Sequence, residues 1–312
     1  MRLKAKAKFL KLKKKTISKN QIMKRLYIIL IASFLLSSCS SDKDDNVTPY
    51  VPKLIVKFKF DPNQARLNNL GQPSAVPSGN AAQSPDFKFI SAHYFELAQD
   101  AFTQLGDGEV LYHAPETSVG GSTAIDFGQA IIVEENEIFL SVPLSQLAIG
   151  NYEDVRVSLS DQEYGIDVLQ SGVDYAGTIA SFVGYNTYIN SHSIGANAFN
   201  VNGNRLQGYW AFALNDVPYS TSGQSTGVTT VPNPINSTSP IPAGSCVVTG
   251  AFPSELQITG NENKDIIIEL SLSINNSFEW QEVNFDGKFE PSAGEQVVDM
   301  GLRGLEPSFV KL

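Results

Sequence analysis

An alternation of apolar and polar residues with a period of two recurs along this chain from residue 53 to residue 274, and it limits the fold more than any other feature. Successive side chains of a β-strand point to opposite faces, so a strand with one buried face reads as such an alternation. "KLIVKFKF" places Leu54, Val56, Phe58 and Phe60 on one face, and "FKFISAHYFEL" places Phe87, Phe89, His93, Phe95 and Leu97 together. Further strands are expected over 109–114, 130–135, 137–144, 154–160, 178–189, 208–214, 245–252 and 265–274, with Gly, Asn, Asp and Pro clusters between them. Only over "AHYFELAQDAFTQL" does a helix compete with a strand followed by a turn. The pattern predicts an all-β fold: an antiparallel β-sandwich, one elaborated domain over 51–312. Two polar, Pro- and Ser-rich connections, 61–86 and 215–244, are long for a compact domain. The 68 residues after the second are short for a separate sandwich, so the last strands are expected to return to the first sheet.

A different signal precedes the domain. Lys24 and Arg25 lead into an apolar run of 11 residues, Leu26 to Leu36, and then into Ser37-Ser38-Cys39. The run suits a secretory signal and falls short of the roughly 20 residues of a membrane span. A pair of small residues closing on one Cys resembles the lipobox of bacterial lipoproteins. That resemblance implies cleavage before Cys39 and acylation of its sulfur and its new amine, which would tie the protein to a membrane. Met23 then reads as the true start, 1–38 as a basic extension plus signal peptide, and 39–50 as an acidic, Ser-rich tether. Ser41, Asp42, Lys43, Asp44 and Asp45 are similar to the export signal that carries Bacteroidota lipoproteins to the outer face of the outer membrane. A plain solvated tether is the alternative. "LAIGNYEDVRVSLS" resembles the ascending strand of prealbumin-like sandwich domains in lipoproteins of the same group. In that strand Val155, Val157 and Leu159 would face the core, and Tyr152, Asp154 and Arg156 the other side. The architecture implied is immunoglobulin- or prealbumin-like, and no activity follows from it.

Charge narrows the partners. Eleven of the 23 basic residues lie in the first 25 positions, so the 274 residues from Cys39 onward carry 12 basic against 32 acidic groups, a net −20. Such a surface repels nucleic acid and suits cationic ligands. With Cys39 lipidated, Cys246 has no partner for a disulfide.

Catalytic signatures are sparse. The three histidines are scattered: His93 reads as a core residue, while His113 and His192 have no second histidine at ligand spacing, which argues against a His-based zinc or copper site. No G-x-S-x-G, H-E-x-x-H or phosphate-binding glycine loop occurs. Asp126, Glu134, Glu135 and Glu137 are nominal carboxylates for glycoside hydrolysis, which needs only a placed pair. Tyr185, Tyr188, Tyr209 and Trp210 lie near Asn and Gln residues, as in sugar-binding surfaces, although aromatic residues of sandwiches are usually core; Trp280 is read with the same caution. Glu282, Asn284, Asp286, Lys288 and Glu290 follow the spacing of a calcium loop, with Gly287 at its bend. Ala293 stands where that loop needs a bidentate Glu, and a type I′ hairpin at Asp286-Gly287 is the competing reading. Ca²⁺ is thus the one candidate cofactor. The functional expectation is a surface lipoprotein acting as a non-catalytic binding or structural module for a glycan, a protein or an envelope component. A surface polysaccharide hydrolase is the alternative.

Overall fold

The computed structural model describes residues 50–67, 72–225 and 239–312. Cys39 and the segment Ser41 to Asp45 lie outside the described residues. The strands in chain order begin with β1 (Lys53–Asp61), β2 (Asn80–Gln83), β3 (Asp86–Ala98), β4 (Glu109–His113), β5 (Glu116–Thr117), β6 (Ala124–Asp126) and β7 (Ile132–Val133). Next come β8 (Ile138–Pro143), β9 (Gly150–Gln170), β10 (Val173–Phe182), β11 (Asn186–Ile194), β12 (Asn197–Leu206) and β13 (Tyr209–Leu214). The remainder are β14 (Ser220–Gln224), β15 (Cys246–Ile258), β16 (Ile266–Ser273), β17 (Phe278–Gln281), β18 (Gln296–Asp299) and β19 (Leu305–Lys311).

These strands form an all-β, sandwich-like stack of sheets. The first has the order β19-β16-β1-β8, so late strands do return to β1. The β1–β16 pair is parallel and its other pairs are antiparallel. The largest sheet, β14-β13-β10-β9-β3-β4 with β15 on β9 and β7 on β3, is antiparallel throughout. Two smaller sheets follow, β12-β11-β6-β5 and β18-β17-β2.

Alternation explains the layering. Leu54, Val56 and Phe58 of β1 and Ile266, Ile268 and Leu270 of β16 pack against Phe95 and Leu97 of β3 and Val155, Val157 and Leu159 of β9. Tyr164, Ile166 and Val168 of β9, with Ile179 of β10, carry that same face onto Phe278 and Trp280 of β17. The residues adjacent to Ile179, namely Ala180 and then Phe182, point to the opposite face and meet Ile189 and Ile194 of β11. Hence the large sheet is covered on both sides.

Where the alternation slips, the expected faces change. Pairing of β3 with β9 shifts between Phe87 and Phe89, between Ser91 and Ala92, and between Ala92 and Tyr94. Lys88 and His93 are left unpaired on β3 and Ser160 on β9, and each extra residue reverses the sides that follow it. The single face expected for Phe87, Phe89, His93, Phe95 and Leu97 therefore does not exist. Ile90 and Ala92 join Phe95 and Leu97 in the core, whereas Phe89 lines a pocket beside Asp161 and Glu163. Tyr152, expected opposite the core, is buried within it and donates its hydroxyl to the Ala148 carbonyl at 2.9 Å. That bond back across a bend is the tyrosine-corner arrangement of sandwich folds. Arg156 takes the expected side, donating to the Thr103 carbonyl at 2.6 Å and lying 3.9 Å from buried Glu96. Glu96 in turn accepts the backbone N–H groups of Gly106 and Gly108, so residues 99–108 are held as turns rather than a helix. The expected strand 178–189 is broken at 183–185 by the turn between β10 and β11.

Candidate functional site

The four sugar-binding candidates do not share one surface. Tyr209 is buried in the core between β10, β11 and β13. Trp210, the next residue, points to the other side of the sheet and lies close over Gly223, where a Cβ would come within 2.7 Å of the indole. Tyr188 donates its hydroxyl to Asn202 at 3.3 Å on the β11–β12 hairpin. Tyr185 occupies the β10–β11 turn, and Trp280 is fully buried.

The calcium-spaced loop connects the antiparallel pair β17–β18 across residues 282–295. Its acidic groups serve its own backbone. Glu282 accepts from the N–H groups of Asp286 at 3.1 Å and Gly287 at 3.0 Å, and Glu295 accepts from Val283 at 3.0 Å and Glu290 at 2.6 Å. Asn284 donates to Glu290, and the Lys288 ammonium reaches Asp174 at 2.8 Å. No trio from this loop is among the described clusters whose three ligand atoms converge within 4.8 Å. The type I′ turn expected at Asp286-Gly287 is not formed either. It needs positive φ at both central residues, whereas the positive values belong to Phe285 (52°) and Gly287 (72°).

The nominal catalytic carboxylates are also structural. Asp126 caps a short 3₁₀ turn by accepting from Gly128, Glu135 accepts from the Phe60 N–H, and Glu137 from the Glu134 N–H. Two other carboxylates lie together in a pocket. A cavity of about 310 Å³ on the β11 side of the large sheet is lined by Phe89, Phe127, Phe182, Asp161, Glu163 and His192. Asp161 pairs with Phe182, and Glu163 with Ala180, so all four side chains project from the same face. The two carboxylate residues are two positions apart on a strand, about 7 Å between Cα atoms. Burial pushes Asp161 up to about 6, against a stabilising bond from the Ser160 hydroxyl at 2.9 Å. Burial also raises Glu163, and the charge of Lys88 partly opposes it. His192 stacks on Phe199 with ring centres 5.0 Å apart and is pushed down to about 4 by burial. The only sequence trace of this pocket is the run "SDQE" interrupting the apolar alternation of β9.

A second cluster arises from the bulges at His93 and Ser160. Tyr94 pairs with His113 at the end of β4, so the extra residue before it brings His93 beside His113 as well, with ring centres 4.6 Å apart. Chain direction then carries His113 through Ala114 and Pro115 to Glu116 on β5, whose carboxylate lies 3.1 Å from His93 Nε2. On β9 the carbonyl of bulged Ser160 accepts from Val183 at 2.8 Å and Gly184 at 2.9 Å, which fixes the turn bearing Tyr185. A Cβ at Gly184 would meet the Ile125 side chain at 2.6 Å, so the turn packs closely against β6. Tyr185 donates its hydroxyl to Glu116 at 2.8 Å and sets its ring 5.4 Å from that of His93. Among the described residues, His93, His113 and Glu116 are the one trio of His, Cys or acidic side chains whose ligand atoms all lie within 4.8 Å of one another. His93 is fully buried and pushed down to about 4, first by burial and then by the charge of His113, while His113 and Glu116 are exposed. The expectation that His113 stands alone is thereby corrected. Linear spacing shows only His113-x-x-Glu116, and its partner 20 positions earlier comes from strand pairing. No family model, curated protein or solved structure matches this chain.

Proposed function

We propose that this chain is an outer-membrane lipoprotein, anchored through Cys39 and displayed outward by the acidic run behind it, whose sandwich is a non-catalytic binding module. The anchor is supported by the succession of basic residues, apolar run and Ser37-Ser38-Cys39. Incorporation of labelled palmitate that disappears in Cys39→Ala tests it, and retained label overturns it. The observation that carries the binding reading is the pocket of about 310 Å³, in which the Phe89, Phe127 and Phe182 rings stand beside the acceptors Asp161 and Glu163. Apolar walls with a few polar groups are the usual make-up of a small-ligand site, and aromatic rings beside hydroxyl acceptors suit one sugar unit of a glycan.

The alternative, a polysaccharide hydrolase, draws on the same pocket. A carboxyl pushed up to about 6 beside a second carboxylate is the pairing that glycoside cleavage uses. Incubating the full chain with a panel of polysaccharides, while following both retention and release of reducing ends, separates the two. Retention without cleavage, weakened in Asp161→Asn, is the expected result. Cleavage abolished by Asp161→Asn establishes the hydrolase instead, and neither retention nor cleavage removes the pocket from both readings.

A further inference from the structure

We propose that His93, His113 and Glu116 form a three-ligand site for one divalent d-block cation of the zinc class, with a coordination position open to solvent. This site is independent of the pocket over β9 and of the binding-module reading built on it.

The donor set is the first argument. Two imidazoles and one carboxylate suit zinc and its d-block neighbours, whereas calcium takes oxygen ligands almost throughout. Size agrees. Bonds of about 2.1 Å to a tetrahedral ion set ligand atoms roughly 3.4 Å apart. Here His93 Nε2 and Glu116 Oε1 are 3.1 Å apart, and all three donors lie within 4.8 Å, so a rotation of exposed His113 completes the triangle.

The state of His93 is a second, separate observation. Its ring is fully buried, it directs Nε2 at Glu116, and its Nδ1 meets no hydrogen-bond partner. Nδ1 stays unpaired whether Nε2 meets Glu116 or an ion, so what points to the site is the burial of the ring and the aim of Nε2 at a carboxylate, with a second histidine ring 4.6 Å away.

Support around the trio follows the pattern of metal centres. Tyr185 donates to the same Glu116 oxygen that faces His93 and so orients the carboxylate. The ligands also stand on held backbone: the Ala114 N–H bonds the His93 carbonyl at 2.7 Å, and Glu116 pairs with Ile125 of β6. One buried and two exposed ligands leave both an entry path and a face for water or an exogenous ligand. The acidic surface, net −20 from Cys39 onward, raises the local concentration of cations.

Calorimetric titration of the tag-free full chain with Zn²⁺, and absorption titration with Co²⁺, test the site. One equivalent should bind, and Co²⁺ should show the intense visible bands of four-coordination rather than the faint ones of the hydrated ion. His113→Ala and Glu116→Gln change exposed side chains and should keep the fold, verified by circular dichroism, while weakening binding by about 100-fold or more. Tyr185→Phe should weaken it about 10-fold. Glu290→Gln in the acidic loop should leave it unchanged, and millimolar Ca²⁺ should not compete. Absence of a one-to-one site, or binding that survives both His113→Ala and Glu116→Gln, overturns the proposal and leaves a hydrogen-bonded His–Glu–Tyr cluster.

Discussion

The two faces of the large sheet use the same strands differently. Toward β1 and β16, β3 and β9 present Phe95, Leu97, Val155, Val157 and Leu159, all buried in one hydrocarbon core. On the opposite face the same strands present Glu96 and Arg156 to residues 99–108 and Asp161 and Glu163 to the pocket, and the bulge in β3 adds His93. Hydrocarbon burial stabilises by roughly 25 cal/mol per Å² and makes no demand on direction. A buried ionisable group stabilises only if a partner stands at bonding distance, and otherwise it opposes folding. The first face is hydrocarbon throughout, whereas the second combines a smaller apolar cluster with buried ionisable groups that cost stability.

Substitutions on the two faces sharpen that contrast. The largest effect is expected from Phe58→Ala, which empties a fully buried site packed edge-on to Phe139 at 5.1 Å. Chemical denaturation should show a loss of about 3–5 kcal/mol. Glu96→Ala should cost about 3 kcal/mol, at the low end for a broken buried pair because Arg156 keeps its bond to Thr103. It should also expose residues 99–108 to protease before the rest of the domain. A loss below 1 kcal/mol would mean that the polar face contributes nothing through its pairs.

Asp161→Asn should act in the opposite direction. The folded carboxyl stands at about 6 against an ordinary 3.8, so between those values the folded state binds more protons than the unfolded one. Stability therefore falls as pH rises from 4 to 6 and stays reduced above that. The asparagine variant should be more stable than the parent by roughly 3 kcal/mol at pH 8, and the gain should vanish below pH 4. Ser160, which donates to Asp161, and the nearby Glu163 and His192 remain in both proteins. Equal stability of the two chains at pH 8 would show that Asp161 is not desolvated. The smallest effect belongs to Tyr185→Phe. Its bond to Glu116 lies at an exposed carboxylate, so thermal melting without added metal should show about 1 kcal/mol.

How much of this was readable in advance varies with range. Leu54, Val56, Phe58 and Phe60 alternate in the sequence and are buried together on β1. Val155, Val157 and Leu159 do the same on β9. Tyr152 broke the rule because the β9–β15 pairing skips Glu153 between it and Asp154, and His93 because a bulge displaces it. Of the aromatic candidates only Tyr185 touches the His cluster, through a turn whose place depends on the Ser160 carbonyl. Asp161 and Glu163 passed unnoticed because alternate acidic residues on a strand look the same whether water or a pocket wall covers them.

The sequence by itself determined the strands and most of their buried faces, since each depends on neighbours a few residues apart. The tertiary structure alone decided that Arg66 would meet Glu279 across 213 positions, and that His93 would face Glu116 across 23. Alternation states which side of a strand a residue occupies. It does not state which strand lies alongside, in what register, or where one extra residue reverses the sides. Those choices come from packing whole sheets together, and on them rests the meeting of His93, His113 and Glu116.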